Sequence, residues 1–193
     1  MVGWLVLACE VAFWVLLVAG LGLRYLLRMP RTGAALLLCE PLLELVLLAA
    51  TVIDLRNGAE PQWYHGLAAL YIGYTVAYGH YTVTWLDGHA RHRFGDGTPP
   101  VRPPRYGTAR AAHEGRLWLR TVLLAAVASG LLLLGTWYVG DAERSAPLTG
   151  AIRLAWRVAG IHGLIALSYA VLPRRAPAGE EREKALAGHR WPH

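Results

Sequence analysis

Residues 36–50 read LLLCEPLLELVLLAA. Two acids, Glu40 and Glu44, stand four apart in a run of leucines, with Pro41 between them. Their meaning depends on the solvent around the segment. The apolar stretch extends over 33–53, and about 20 apolar residues cross a bilayer core of about 30 Å. Four more blocks of similar length follow the same pattern, at 3–27, 63–86, 117–140 and 150–172. The block LWLRTVLLAAVASGLLLLGTWYVG is the clearest. The third is the least apolar, because it carries two histidines with several tyrosines and threonines. The fifth carries Arg153, Arg157 and His162 and is still long enough to span. Composition agrees, with 55% hydrophobic and 17% charged residues against about 25% charged in soluble domains. The chain is expected to be an all-α polytopic membrane protein of five transmembrane helices. Residues 1–175 form one transmembrane domain, and 176–193 form a tail.

The first block reads as a retained helix. It has no basic leader, and its apolar run exceeds that of a signal peptide. Only eight residues, none basic, precede Cys9 in LVLAC. Arginines set the orientation. The turn with Arg24, Arg28 and Arg31, the loop 87–116 and the tail are all basic. The segments DLRNGAEPQ and DAERSAPLT hold only Arg56 and Arg144 beside four acids. Five spans put every basic segment on one side, with the N-terminus outside and the C-terminus in the cytoplasm. The net charge of +6 is therefore positive-inside bias, with attraction to anionic lipid at the basic loop. It calls for no nucleic-acid partner. Cys9 and Cys39 fall at different depths and are not expected to bridge.

The loop DGHARHRFGDGTPPVRPPRYGTARAAHEGR is expected to hold no folded domain. Its PPVRPP favours an extended chain, and a helix is expected from Thr108 into the fourth span. His89, His92 and His113 lack cysteine partners and a fixed spacing, so no metal is expected. No cofactor is expected either. His80 and His162 differ in depth by roughly 6 Å, which is poor for axial haem ligation. The tail carries a short helix-prone stretch with Glu180 four before Lys184.

Glu40 and Glu44 share one helical face. A charge near mid-bilayer costs about 2.5–3.5 kcal/mol, so that face should turn toward partners. Depth alone pairs Glu10 with Arg153 or Arg157, Glu44 with Arg157 or His162, and Glu40 with His80. These seven residues form the candidate site, a buried polar cluster holding the first, second, third and fifth spans. One geometric limit applies: about 140° separates Arg157 from His162 around the helix, so one narrow stripe cannot hold both. On the third span, Tyr71, Tyr74, Tyr78 and Tyr81 form a stripe expected to face lipid, a groove or a second copy. His65, Ala69, Gly73, Ala77, His80 and Thr84 form the side expected to pack inward. Ala126 and Gly130 offer a close helix contact, and Arg120 is expected to snorkel.

IDLRNGAE, HGLAALYIGYTVAYGH, WLDGHARHRF, PPRYG and YVGD occur in that order. On these motifs the chain resembles the YmcC-type uncharacterised bacterial integral membrane proteins. The resemblance implies a bacterial cytoplasmic-membrane location. It carries over no activity, substrate or catalytic residue. No GxSxG, HExxH or P-loop occurs, so no enzyme is expected. The expectation is a structural or partner-binding membrane subunit, alone or as a homo-oligomer. The alternative is a small proton- or ion-coupled transporter.

Overall fold

In a computed structural model the structure describes residues 2–27, 29–94, 99, 103–104 and 106–172. Five α-helices form among them: α1 (Val2–Tyr25), α2 (Pro30–Arg56), α3 (Leu67–Phe94), α4 (Gly107–Val139) and α5 (Ala146–Val171). A 3-10 turn, Trp63–Gly66, leads into α3. Leucine- and alanine-rich runs favour helix throughout, and the breaks fall where the chemistry requires them. Pro30 opens α2, a position where its missing N–H costs nothing. Gly140 closes α4 in the left-handed region, φ 70°, which glycine adopts without a Cβ clash. Asp141 then accepts the backbone N–H groups of Glu143 (2.9 Å) and Arg144 (3.1 Å). Ser145 donates its hydroxyl to the Asp141 carbonyl at 2.6 Å. This turn, in the YVGD stretch, starts α5.

Among the described residues, three helical stretches are long and apolar enough to cross a membrane: Arg31–Arg56, Gly107–Val139 and Ala146–Val171. A shorter apolar stretch covers Val11–Tyr25. α3 is about 42 Å long, but its tyrosines, threonines and histidines make it less apolar than these three. Much of the supposed loop 87–116 is helical. α3 continues to Phe94 and α4 begins at Gly107, so both helices are longer than a bilayer requires.

α1 packs on α2, α2 on α3 and α4, α3 on α4, and α4 on α5. The main core joins Leu48, Val52 and Leu55 of α2 with Ala68, Ala69 and Ile72 of α3, Leu132 and Val139 of α4, and Leu148 and Ala151 of α5. A second core sets Ala125 against Ala155 and Ala159. Small residues let α4 and α5 approach closely, as expected in membranes. The stripe is not the one built on Ala126 and Gly130, which are both exposed. Ala125, Ala128 and Ser129 are buried instead, because α5 approaches Ala125 and Ser129 and α3 approaches Ala128. The outer surface is apolar, with Trp137 81%, Leu164 70% and Val18 67% exposed. Large apolar patches of this kind need a nonaqueous neighbour.

Candidate functional site

Among the described residues, the polar side chains of the spans do not meet in one cluster. Among these residues they form three separate groups, and Arg153 and Arg157 stand exposed apart from them. The first group ties the ends of α1 and α3. Arg24 donates from Nε to Asp87 Oδ1 at 2.9 Å and from Nη2 to Oδ2 at 2.5 Å. The Tyr25 hydroxyl donates to Asp87 Oδ1 at 2.9 Å. A bidentate guanidinium–carboxylate pair fixes direction as well as distance. Arg24 is thus more than an orientation signal, and Asp87 was absent from the expected cluster. A signal for it did exist: five alternating spans make α1 and α3 run in the same direction, so a basic end of one stands level with an acid of the other.

The second group surrounds Glu40, which is buried on α2. The Tyr71 hydroxyl donates to Glu40 Oε2 at 3.1 Å. Phe13 of α1 meets the Tyr71 ring edge-on at 5.1 Å. Glu44 is half-buried one turn further along α2. His80 is exposed and is not the partner of Glu40. The reason is rotational. Nine residues at about 100° each put Tyr71 and His80 on opposite sides of α3, so a helix that presents Tyr71 to Glu40 turns His80 away.

The third group joins α3, α4 and α5. Tyr78 donates its hydroxyl to the Leu117 carbonyl at 2.8 Å and lies 2.6 Å from Thr121 Oγ1. Thr121 Oγ1 in turn lies 2.6 Å from His162 Nδ1. His162 therefore meets a hydroxyl on α4, not Glu44. Trp118 donates from Nε1 to the Ala159 carbonyl at 3.1 Å. Gly163 leaves the room: a Cβ there would lie 2.8 Å from that nitrogen. Trp156 donates to Ser129 Oγ at 3.0 Å. Hydroxyl, hydroxyl and imidazole form a connected chain across three helices, which suits it to joining them.

The tyrosine stripe accordingly looks inward more than outward. Tyr71 serves α2, Tyr78 serves α4, and Arg120 of α4 lies over the Tyr81 ring at 4.6 Å instead of snorkelling. Only Tyr74 is exposed, with its ring stacked on Tyr78 and its hydroxyl on Thr82. Half-buried tyrosines need partners for their hydroxyls, and the flanking helices supply them for Tyr71 and Tyr78. Of the side expected to pack inward, Ala69 and Gly73 are buried, while His80 and Thr84 are exposed. His65 accepts the Gln62 N–H at 3.1 Å and caps the 3-10 turn.

Arg153 and Arg157 are exposed on α5. They face away from its buried stripe of Leu148, Ala151, Ala155, Ala159 and Ala166. The limit on Arg157 and His162 is met by division, one outward and one inward. The Glu10 side chain lies outside the described residues, and so does its proposed pairing with these arginines. Two cations in the α2–α3 and α4–α5 connections are engaged. Arg144 donates to the Arg56 carbonyl at 3.2 Å, and Arg56 lies over Tyr138 at 4.4 Å. At the other end Arg110 pairs with Glu114 at 2.5 Å and lies over Tyr169 at 5.1 Å.

The chain is 36% identical over 178 residues to the "Uncharacterized membrane protein YmcC" of Bacillus subtilis, covering 92% of this chain and 95% of the relative. No protein-family profile matches the chain. No solved structure matches it.

Proposed function

Because this chain belongs to the family of the membrane protein YmcC, we propose that it is a five-span subunit of the bacterial cytoplasmic membrane that binds a partner membrane protein through α5. The observation that carries this reading is the exposure of Arg153 and Arg157 on a helix fit to cross a membrane. A chain sufficient in itself would turn such cations toward its own acids. Here Glu40 Oε2 accepts from Tyr71 and His162 meets Thr121, while the buried Glu40 Oε1 has no hydrogen-bond partner among the described residues. The groups inside the bundle fasten helices, and the groups left on its surface meet something else.

The proposed orientation has the N-terminus outside. The basic ends of α3 and α4 then stand in the cytoplasm, where anionic lipid attracts them. Positive-inside bias supports this; the Arg24–Asp87 pair, which sets the C-terminal ends of α1 and α3 level, supports their running in the same direction.

A photo-reactive residue at Ile161, exposed on α5, tests the reading in host membranes, with Leu133, exposed on α4, as the control position. The expected result is one protein adduct of defined mass at position 161, lost on Arg157→Leu, and lipid adducts alone at 133. Lipid adducts alone at both positions would overturn the reading. In the same membranes an impermeant thiol reagent added outside should label Ala59→Cys and not Ala112→Cys. Labelling of Arg157→Cys from outside would indicate a water-filled path, and the transporter reading would replace this one.

A further inference from the structure

Depth distinguishes the two exposed arginines. α5 is about 39 Å long, so a bilayer core of about 30 Å centred on it begins about 4–5 Å from each end. Arg153 then lies roughly 6 Å inside the outer boundary, where a guanidinium on its flexible stem can reach the headgroups. Arg157 lies roughly 12 Å inside, beyond that reach. Its exposed neighbours on the far side from Arg153 are apolar, with Ile161 61% and Leu164 70% exposed. A cation facing hydrocarbon at that level costs about 2.5–3.5 kcal/mol.

The backbone beside Arg157 is bare. Gly160 lies about 60° from it around the helix, and a Cβ at Gly160 would meet nothing within 4 Å. Gly150, on the same side above Arg153, is equally open. Small residues beside a polar group allow another helix to approach closely and still reach that group.

We propose that this face docks a transmembrane helix of a partner protein that carries a carboxylate at the level of Arg157, its backbone crossing close to Gly160. The inference rests on the partner-binding reading above and adds the partner's chemistry. Charge complementarity selects the occupant. A guanidinium is matched by a carboxylate, bidentate and strongest away from water. Lipid phosphates stay at the interface and reach only Arg153. A second copy docked on the same patch by two-fold symmetry would set arginine against arginine.

The full chain, labelled and reconstituted in phosphatidylcholine vesicles, is titrated with a labelled synthetic transmembrane helix of leucine and alanine bearing one central glutamate. Energy transfer between the labels reports binding. The expected result is association that weakens about tenfold when the peptide glutamate becomes glutamine, and equally when Arg157→Leu is introduced. Arg153→Leu should weaken it less. Equal binding of the two peptides, or no effect of Arg157→Leu, would overturn the inference. So would energy transfer between two labelled copies of the chain that disappears with Arg157→Leu, which would assign the face to self-association. If the Ile161 photo-adduct persists while the peptide glutamate makes no difference, the docking face stands and the carboxylate does not.

Discussion

Gly73→Leu should unfold the bundle between α3 and α4. A Cβ at Gly73 would lie 2.7 Å from the Leu124 carbonyl oxygen and 3.3 Å from the Ala128 Cβ. The nearer atom is backbone, so no side-chain rotation relieves the clash and the helices must separate. Overpacking in a well-filled interior costs about 1–3 kcal/mol, and a rigid backbone neighbour puts this site at the upper end. The thermal midpoint in detergent should fall steeply or the protein should fail to express. Gly130→Leu is the matched control, because a Cβ at Gly130 meets nothing within 4 Å. It should leave the midpoint nearly unchanged. If Gly130→Leu were the destructive variant, the α4 face assigned to α3 and α5 would be wrong.

Thr121→Val should produce the second large loss. Valine keeps the shape and removes the hydroxyl that lies 2.6 Å from both Tyr78 and His162. Tyr78 keeps its bond to the Leu117 carbonyl, whereas the contact at His162 Nδ1 is lost. Interhelical hydrogen bonds in membranes average about 0.6 kcal/mol and reach about 1.7. Losing the His162 contact and weakening that of Tyr78 therefore costs about 1–2 kcal/mol. Thr121→Ser should restore most of it. A double-mutant cycle with His162→Phe should give a coupling of about 1 kcal/mol between the two positions. Coupling near zero would mean that the short contact carries no energy.

Helix existence was legible in the sequence because block length carries it. Each expected block overlaps one observed helix, and α5 (Ala146–Val171) differs from the expected 150–172 by a single turn at its start. Helix ends were less legible, because α3 and α4 run past the apolar residues. The polar ends WLDGHARHRF and GTARAAHEGR have ordinary helix propensity and no proline. The site was legible in kind but not in pairing. That Glu40 must be buried with a partner followed from cost alone. Which partner it takes depends on helix rotation, and hydropathy does not encode rotation. Depth matched Glu40 with His80, but an opposite-side position defeats any depth match. The tyrosine stripe was misread for a related reason: its ring area suggests lipid, while its hydroxyls require partners that only the folded bundle reveals. Asp87 and Thr121 were overlooked because one lay in an assumed loop and the other looked like an ordinary polar residue of a span.

The distinction between groups that fasten the bundle and groups that serve a partner is tested most directly by the stability of the isolated chain. The Arg153→Leu/Arg157→Leu double variant, purified in the detergent used for the wild type, should keep its thermal midpoint or gain a little. Both side chains are exposed, and leucine suits an apolar surface better than arginine by about 3 kcal/mol on insertion scales. A fall as large as that of Thr121→Val would contradict the account. It would place the two arginines among the bonds that hold the helices together and leave α5 without its docking face.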